Sequence, residues 1–374
     1  MTERFRPAWV EIDLDAVRAN TRAIIAAAAP AAVMAVVKAD GYGHGAVPVT
    51  RAVLEAGAEW VGVALAEEGI TLREAGIDAP ILVLSEPAPD AAGAVVAAGL
   101  TPVVYTPAGL EHLAKAVAGS GRRDPLPVHL KVDTGMHRVG CAPGDARALV
   151  DAIGDRAELL LGGVCTHLAV ADEPDDPYTG EQLERFDALL RDLTAAGVDV
   201  GIRHAANSAG LLAFPAANYD LVRTGIAIYG IAPTAALANR IPLLPALSFR
   251  ARVSYVKTLP AGSRLSYGLR YELGRESRIA TVPVGYADGV PRNLAHVGGE
   301  VVVGGRRVPI AGTVTMDQIL LDLGDAPVEV GDEVVLIGRQ GDVEVTATDW
   351  ADRLGTIPYE IVCGIGPRVP RRIV

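Results

Sequence analysis

Lys38 ends an apolar run and opens a glycine-rich one, in Ala35-Val36-Val37-Lys38-Ala39-Asp40-Gly41-Tyr42-Gly43-His44-Gly45. Of the 34 lysines and arginines only four are lysines: Lys38, Lys115, Lys131 and Lys257. Arginine is the default cation here, so a lysine at the mouth of an apolar strand points to chemistry a guanidinium cannot do. A partly buried lysine loses its proton and attacks an aldehyde to form a Schiff base. The glycine turn and the Tyr42 hydroxyl suit a phosphate, which makes pyridoxal phosphate (PLP) the aldehyde of choice. An ordinary helix-facing lysine beside a flexible turn accounts equally well for the fragment taken alone.

Further polar residues fall where apolar runs end. Arg138 follows Lys131-Val132-Asp133-Thr134-Gly135-Met136-His137, and His167 closes Val164-Cys165-Thr166-His167. Asn207 and Ser208 follow another such run, and Arg223-Thr224-Gly225-Ile226 ends the next. The Ser208 hydroxyl, the Gly225 and Ile226 amides and Tyr42 would converge on one phosphate. Singly, a helix cap explains Ser208, a core imidazole His167 and a surface ion pair Arg223. Strand alternation aims His129, Lys131 and Asp133 to one side and Val128, Leu130 and Val132 to the other. An inward lysine is costly unless paired or neutralised. A salt bridge to Asp133 satisfies it, and so does covalent conversion to an anion that holds Arg138.

The elements that must position these groups alternate. Strand-like runs occur at Val33–Val37, Trp60–Ala64, Ile81–Leu84, Thr101–Tyr105, Val128–Val132, Leu159–Cys165, Gly201–His204 and Tyr219–Arg223. Helical stretches such as Val47–Ala56, Pro107–Ala118, Gly144–Ile153 and Glu181–Ala196 lie between them. Eight strand–helix units predict an α/β fold with an N-terminal (β/α)8 barrel, whose site lies at the strands' C-terminal ends. A doubly wound sheet ranks second, because no G-x-G-x-x-G follows the first strand. After Pro233, Pro242 and Pro245 the pattern changes. Short β-rich runs at Ala246–Val256, Arg278–Val284, Glu300–Val303, Arg307–Ile310, Gln318–Asp322 and Glu333–Ile337 predict a C-terminal all-β domain. The expected boundaries are 12–240 for the barrel and 241–374 for the β domain, with residues 1–11 pairing with the latter.

The net charge of −11 and the absence of a basic stripe argue against nucleic acid. No run approaches a membrane span. The charged stretch Met1 to Pro7 leads straight into a strand, so no signal peptide is expected. Cys141, Cys165 and Cys363 are odd in number and form no C-x-x-C pair, which suits a reducing cytoplasm. No metal site is expected.

The chain resembles the alanine racemases over nearly its whole length. The likeness rests on the Lys38, Lys131, His204–Ala209 and Arg223–Ala227 segments. It continues through Leu265-Ser266-Tyr267-Gly268, Gly285-Tyr286-Ala287-Asp288-Gly289, Thr315-Met316-Asp317-Gln318 and Ile357-Pro358-Tyr359-Glu360. It implies a homodimeric isomerase in which Lys38 carries PLP as an aldimine and Arg223 donates to the pyridine nitrogen. His167 lies by the ring, and Tyr42, Asn207, Ser208, Gly225, Ile226 and Tyr359 serve the cofactor. Arg138 approaches the cofactor and the substrate carboxylate, and Lys131 is a candidate carbamate. Tyr267 is the second base, Met316 touches substrate and Tyr286 guards the entrance. The role implied is interconversion of L- and D-alanine, supplying D-alanine for the cell wall. The sequence departs from the common pattern at His137 (often glycine), Thr224 (often proline) and Thr315 (often cysteine).

Racemisation needs a proton taken from one face of Cα and one returned to the other. Lys38 and Tyr267 are suited to opposite faces. A phenol is a poor base at neutral pH, so cations must assist it; Arg138 and the His167–Arg223 pair are at hand. A non-catalytic PLP carrier would need only the first half of the chain. A barrel-type decarboxylase would need a catalytic cysteine in the second domain, and Cys363 is a poor match. A broader-specificity amino-acid racemase is the third alternative.

Overall fold

The computed structural model describes residues 5–374. Of the segment 1–11 expected to pair with the second domain, residues 1–4 lie outside the described residues. The chain forms two compact units. One comprises Asp15–Gly41 and Ala46–Leu244; the other comprises the described residues up to Leu14, Tyr42–Gly45 and Pro245–Val374.

Strand β1 (Ala8–Ile12) belongs to the second of these. The first holds β2 (Ala32–Val36), β3 (Trp60–Val63), β4 (Ile81–Val83), β5 (Thr101–Val104), β6 (Leu126–Lys131), β7 (Leu159–Cys165), β8 (Ile202–His204) and β9 (Leu221–Thr224). These eight lie parallel in the order β8-β7-β6-β5-β4-β3-β2-β9, and helices alternate with most of them. Between β8 and β9 single bonds replace a ladder: Asp220 N donates to Arg203 O (3.0 Å) and Arg223 N to Ala206 O (2.9 Å). The expected barrel is therefore nearly closed, and the doubly wound alternative falls away. Met34, Leu82, Val103, Cys165 and Leu221 fill its interior from five different strands. A bulge between Val128 and His129 re-aims β6 against β7. Gly163 makes room there, since a Cβ would lie 2.9 Å from the His129 ring.

The other unit is sheet-rich. Strand β1 lies between Leu247–Arg252, antiparallel, and Arg371–Ile373, parallel. Tyr255–Leu259, Ser277–Val282 and Ile319–Gly324 form a separate three-stranded sheet. The run Ala246–Val256, read as one strand, is thus split between two sheets. The crossing lies at Val253 and Ser254, whose amides bond Asp332 O (2.9 Å) and Thr281 O (2.8 Å). Two short helices also appear, Ala347–Leu354 and Pro358–Cys363. Thr346 and Asp349 cap the former reciprocally (2.9 and 2.8 Å), and its Trp350 is buried. Among the described residues no helix is long and apolar enough to cross a membrane.

Candidate active site

Lys38, half-buried, stands at the end of β2 on a left-handed turn rather than a flexible one. Ala39 (φ 54°), Asp40 (52°), Gly41 (61°) and Tyr42 (53°) all take positive φ. Each non-glycine residue there costs roughly 1–2 kcal/mol, so the surroundings must hold the turn. Gly41 N donates to Val37 O (2.8 Å), Ala39 N to Glu68 Oε1 (2.7 Å) and Ala46 N to Asp40 Oδ1 (2.8 Å). The buried Tyr229 hydroxyl donates to Val36 O (3.1 Å), one turn before.

Across the barrel mouth, Arg223 is buried rather than on the surface, and it pairs with no carboxylate among the described residues. Its guanidinium donates to His204 Nδ1 (2.8 Å), Thr166 O (2.8 Å) and Ala205 O (2.9 Å), and lies 3.3 Å from His167 Nδ1. A guanidinium only donates, so His204 Nδ1 accepts and its Nε2–H points at His129 Nδ1, 2.7 Å away. Both imidazoles are therefore neutral. Burial and then the Arg223 charge lower His129 to about 4. Burial, Arg223 and His129 hold His204 well below the usual range. His167 is likewise depressed by burial, then by Arg223, Lys131, Arg138 and Lys38.

Lys131 and His129 are buried, as alternation requires. The salt bridge to Asp133 does not form. Asp133 has turned into the loop, where Oδ1 accepts from the Gly135 and His137 amides (3.0 Å each). Among the described residues Lys131 has no ion pair; burial, and then Arg223, Arg138 and Lys38, outweigh Cys165 and lower its pKa. Arg138 is exposed and makes no hydrogen bond among the described residues. Asn207 is the helix cap, its Oδ1 accepting from Gly210 N (2.8 Å). That leaves Ser208 Oγ to accept from Gly225 N (3.0 Å) and Ala227 N (3.4 Å), with no acceptor for its own proton among the described residues. The Gly225 amide is thereby taken. Ile226 opens a 3-10 turn and keeps a donor such a turn leaves without an internal partner.

The three departures from the common pattern have physical correlates. His137 adopts φ 55°, a conformation that suits glycine, with Nδ1 3.5 Å from Asp133. The Thr224 hydroxyl is buried and has no hydrogen-bond partner among the described residues, whereas Thr315 Oγ1 closes a turn onto Gln318.

In the sheet-rich unit Tyr267 is 72% exposed and sits on a second strained turn: Ser266 (φ 60°), Gly268 (77°) and Leu269 (49°). Ser266 Oγ donates to Thr313 O (2.6 Å), and Thr313 Oγ1 donates to Tyr267 O (2.8 Å). The same spine carries Met316. Tyr286 N bonds Thr315 O (3.0 Å) and Ala287 N bonds Met316 O (3.1 Å). Tyr267, Met316 and Tyr286 are thus tied to residues 313–316. Tyr42 and Tyr359 are neighbours, with ring centroids 6.2 Å apart, and burial raises the Tyr42 pKa, so its phenol keeps its proton.

Residues 12–233 match the alanine racemase N-terminal domain model and residues 246–373 the C-terminal one. The chain belongs to the alanine racemase family. An alanine racemase of Symbiobacterium thermophilum is 53% identical over 98% of this chain and 97% of that protein. The crystal structure of alanine racemase from D-cycloserine-producing Streptomyces lavendulae has a TM-score of 0.94 at 42% identity, covering 100% of this chain and 98% of that one. The Bacillus anthracis alanine racemase, solved with bound L-Ala-P, gives 0.92 at 38%, covering 100% and 96%. Alanine racemases thus match along both halves, and the carrier, decarboxylase and broader-racemase readings are not favoured. Within this racemase-family frame, three positions escaped the sequence reading. Glu68 carried no distinct signal, because one of two adjacent acids in the first turn of a helix reads as an ordinary helix-start residue. His204 did carry one, standing at the end of β8 beside Asn207. Thr313 lies in a loop whose importance only the fold reveals.

Proposed function

We propose that the chain interconverts L- and D-alanine with PLP bound at Lys38. The observation that carries this is Arg223: a buried guanidinium with fixed neighbours, spare donors and no carboxylate, which suits a neutral ring nitrogen. The rest of the rim fits the cofactor. Ser208 and Ile226 retain donors for a phosphate, and Asn207 and Gly225 hold that cradle in shape; the family resemblance also assigns Tyr42 and Tyr359 to the cofactor. When bound, PLP joins the substrate amine and delocalises the electron pair left at Cα. Lys38 Nζ holds the proton of one face and the Tyr267 hydroxyl that of the other. Arg138 binds the substrate carboxylate beside His167, while Met316 and Tyr286 limit the side chain admitted. Arg223 cannot give its proton away, which limits charge flow into the ring and discourages side reactions.

Tyr267, Met316 and Tyr286 are exposed on their own chain, as expected of residues that complete a site on a second copy. That exposure supports the reading of a two-fold dimer with shared sites. Lys131, inward and with a lowered pKa, is suited to add CO2 through its neutral amine, releasing a proton, and so become an anion beside Arg138. A carbon-13 bicarbonate signal that persists in Lys131→Ala would refute this. For the main proposal, PLP should be fixed to Lys38 by borohydride and L-alanine should be converted to the D form. Labelling at Lys115 or Lys257 instead, or no chiral conversion, refutes it.

A further inference from the structure

Glu68 lies on the helix Ala66–Glu74 that follows β3, and its two oxygens serve different segments. Oε2 accepts from Ala64 N (2.8 Å) and Leu65 N (3.2 Å), closing the start of its own helix. Oε1 leaves that helix and accepts from Ala39 N (2.7 Å), the amide that follows Lys38. We infer that Glu68 is a positioning residue for Lys38. It fixes the peptide plane between Lys38 and Ala39 and so sets where the lysine amine points.

The bond falls where the backbone is least able to hold itself. Ala39, Asp40, Gly41 and Tyr42 are all left-handed, a conformation that single L residues visit and runs of them avoid. The Gly41 amide is held from within the turn by Val37 O, and the Asp40 carboxylate ties the turn's middle to Ala46. At its first amide, next to the lysine, Glu68 is the acceptor. Without it, the Lys38–Ala39 peptide can rotate toward an ordinary conformation and swing the Lys38 side chain away. The carboxylate type matters as well. Both oxygens accept, whereas an amide offers one acceptor oxygen, so Glu68→Gln can satisfy the helix start or Ala39 but not both.

The inference rests on the reading of Lys38 as the cofactor lysine, and the test separates the two. With only four lysines in the chain, reaction of Lys38 with an amine-acylating reagent can be scored by mass spectrometry against exposed Lys115, without any cofactor. In Glu68→Ala the Lys38/Lys115 ratio should change at least about threefold, and capture of added PLP, trapped by borohydride, should slow roughly 100-fold, the effect of an ångström-scale misplacement. Glu68→Gln should fall between wild type and Glu68→Ala, and it carries the test if the alanine variant does not fold. Glu67→Ala, exposed on the same helix, should match wild type in both readouts. A merely structural glutamate would lower the unfolding temperature and leave both readouts of the folded protein unchanged; that result overturns the inference. Failure of wild type to capture PLP would instead overturn the proposed function, while the labelling ratio would still judge Glu68.

Discussion

The turns that carry Lys38 and Tyr267 share a device and differ in setting. Both display the side chain on a run of positive φ, and both are pinned by a side-chain bond to the backbone: Glu68 Oε1 to Ala39 N (2.7 Å) in one, Thr313 Oγ1 to Tyr267 O (2.8 Å) in the other. Lys38 is half-buried in a mouth already furnished with Arg223, Lys131, His167 and Ser208, whereas Tyr267 is 72% exposed. One turn presents its lysine among polar groups of its own unit. The other presents its phenol to solvent. The contrast teaches that strain marks both of the proposed reacting groups, while burial tells which of them has polar neighbours in its own unit.

The largest test breaks the pair apart. Tyr267→Phe should slow α-proton exchange from L-alanine roughly 10³-fold while sparing exchange from D-alanine in deuterated water, since only one face loses its base. Mixing the inactive Lys38→Ala and Tyr267→Phe chains under subunit exchange should then restore about a quarter of wild-type activity. Half of the random dimers are mixed, and each has one intact site. Equal loss for both enantiomers rejects the division of faces. Confirmed exchange of subunits without recovered activity assigns each site to a single chain.

The next test concerns how the barrel mouth is furnished. The imidazoles with lowered pKa, His129, His167 and His204, all lie in the barrel unit. A group with folded pKa depressed below its unfolded value gives stability that is present above the unfolded pKa and lost as pH falls toward the folded one. For His129 that window runs from an unfolded value of ~6.5 down to about 4. Lowering pH from about 7.5 to about 5.5 should therefore cost roughly 1.4 kcal/mol of unfolding free energy through this one group. His129→Asn keeps an acceptor for His204 Nε2–H but does not titrate, so its urea midpoint should fall less over the same range. An unchanged pH slope would show that His129 does not carry the effect.

Much of this contrast was legible in the chain. The eight barrel strands read out because parallel strands covered by helices are continuous apolar runs, and Lys38, His167 and Arg223 fell at their ends. Inward alternation placed Lys131 correctly. Alternation failed one step later, at Asp133, because the strand ends at Lys131 and a loop amide pair captures the carboxylate. The left-handed turn was hidden because Ala39 and Tyr42 do not favour positive φ, and a single Asp-Gly step does not predict a run of it; one of the bonds that hold it comes from distant Glu68. The split of Ala246–Val256 between two sheets was equally hidden, since period-two patterning does not say which sheet a residue joins.

The smallest effect is the sharpest probe of the Tyr267 turn. Thr313 is buried, its hydroxyl proton goes to Tyr267 O, and His296 Nε2 lies 3.3 Å from the Thr313 Oγ1 itself. Thr313→Val keeps the shape and removes the donor, leaving the Tyr267 carbonyl without that bond. A neutral hydrogen bond is worth about 1 kcal/mol, so L-alanine α-proton exchange should slow roughly fivefold. Thr313→Ser, which restores the hydroxyl, should recover most of it. Exchange from D-alanine, assigned to Lys38, should not move in either variant. That asymmetry separates positioning from a general loss of stability, which would depress both enantiomers in proportion to the unfolded fraction. Were both to fall together, the turn around Tyr267 would be a packing feature of the sheet-rich unit, and the likeness between the two strained turns would end at their φ angles.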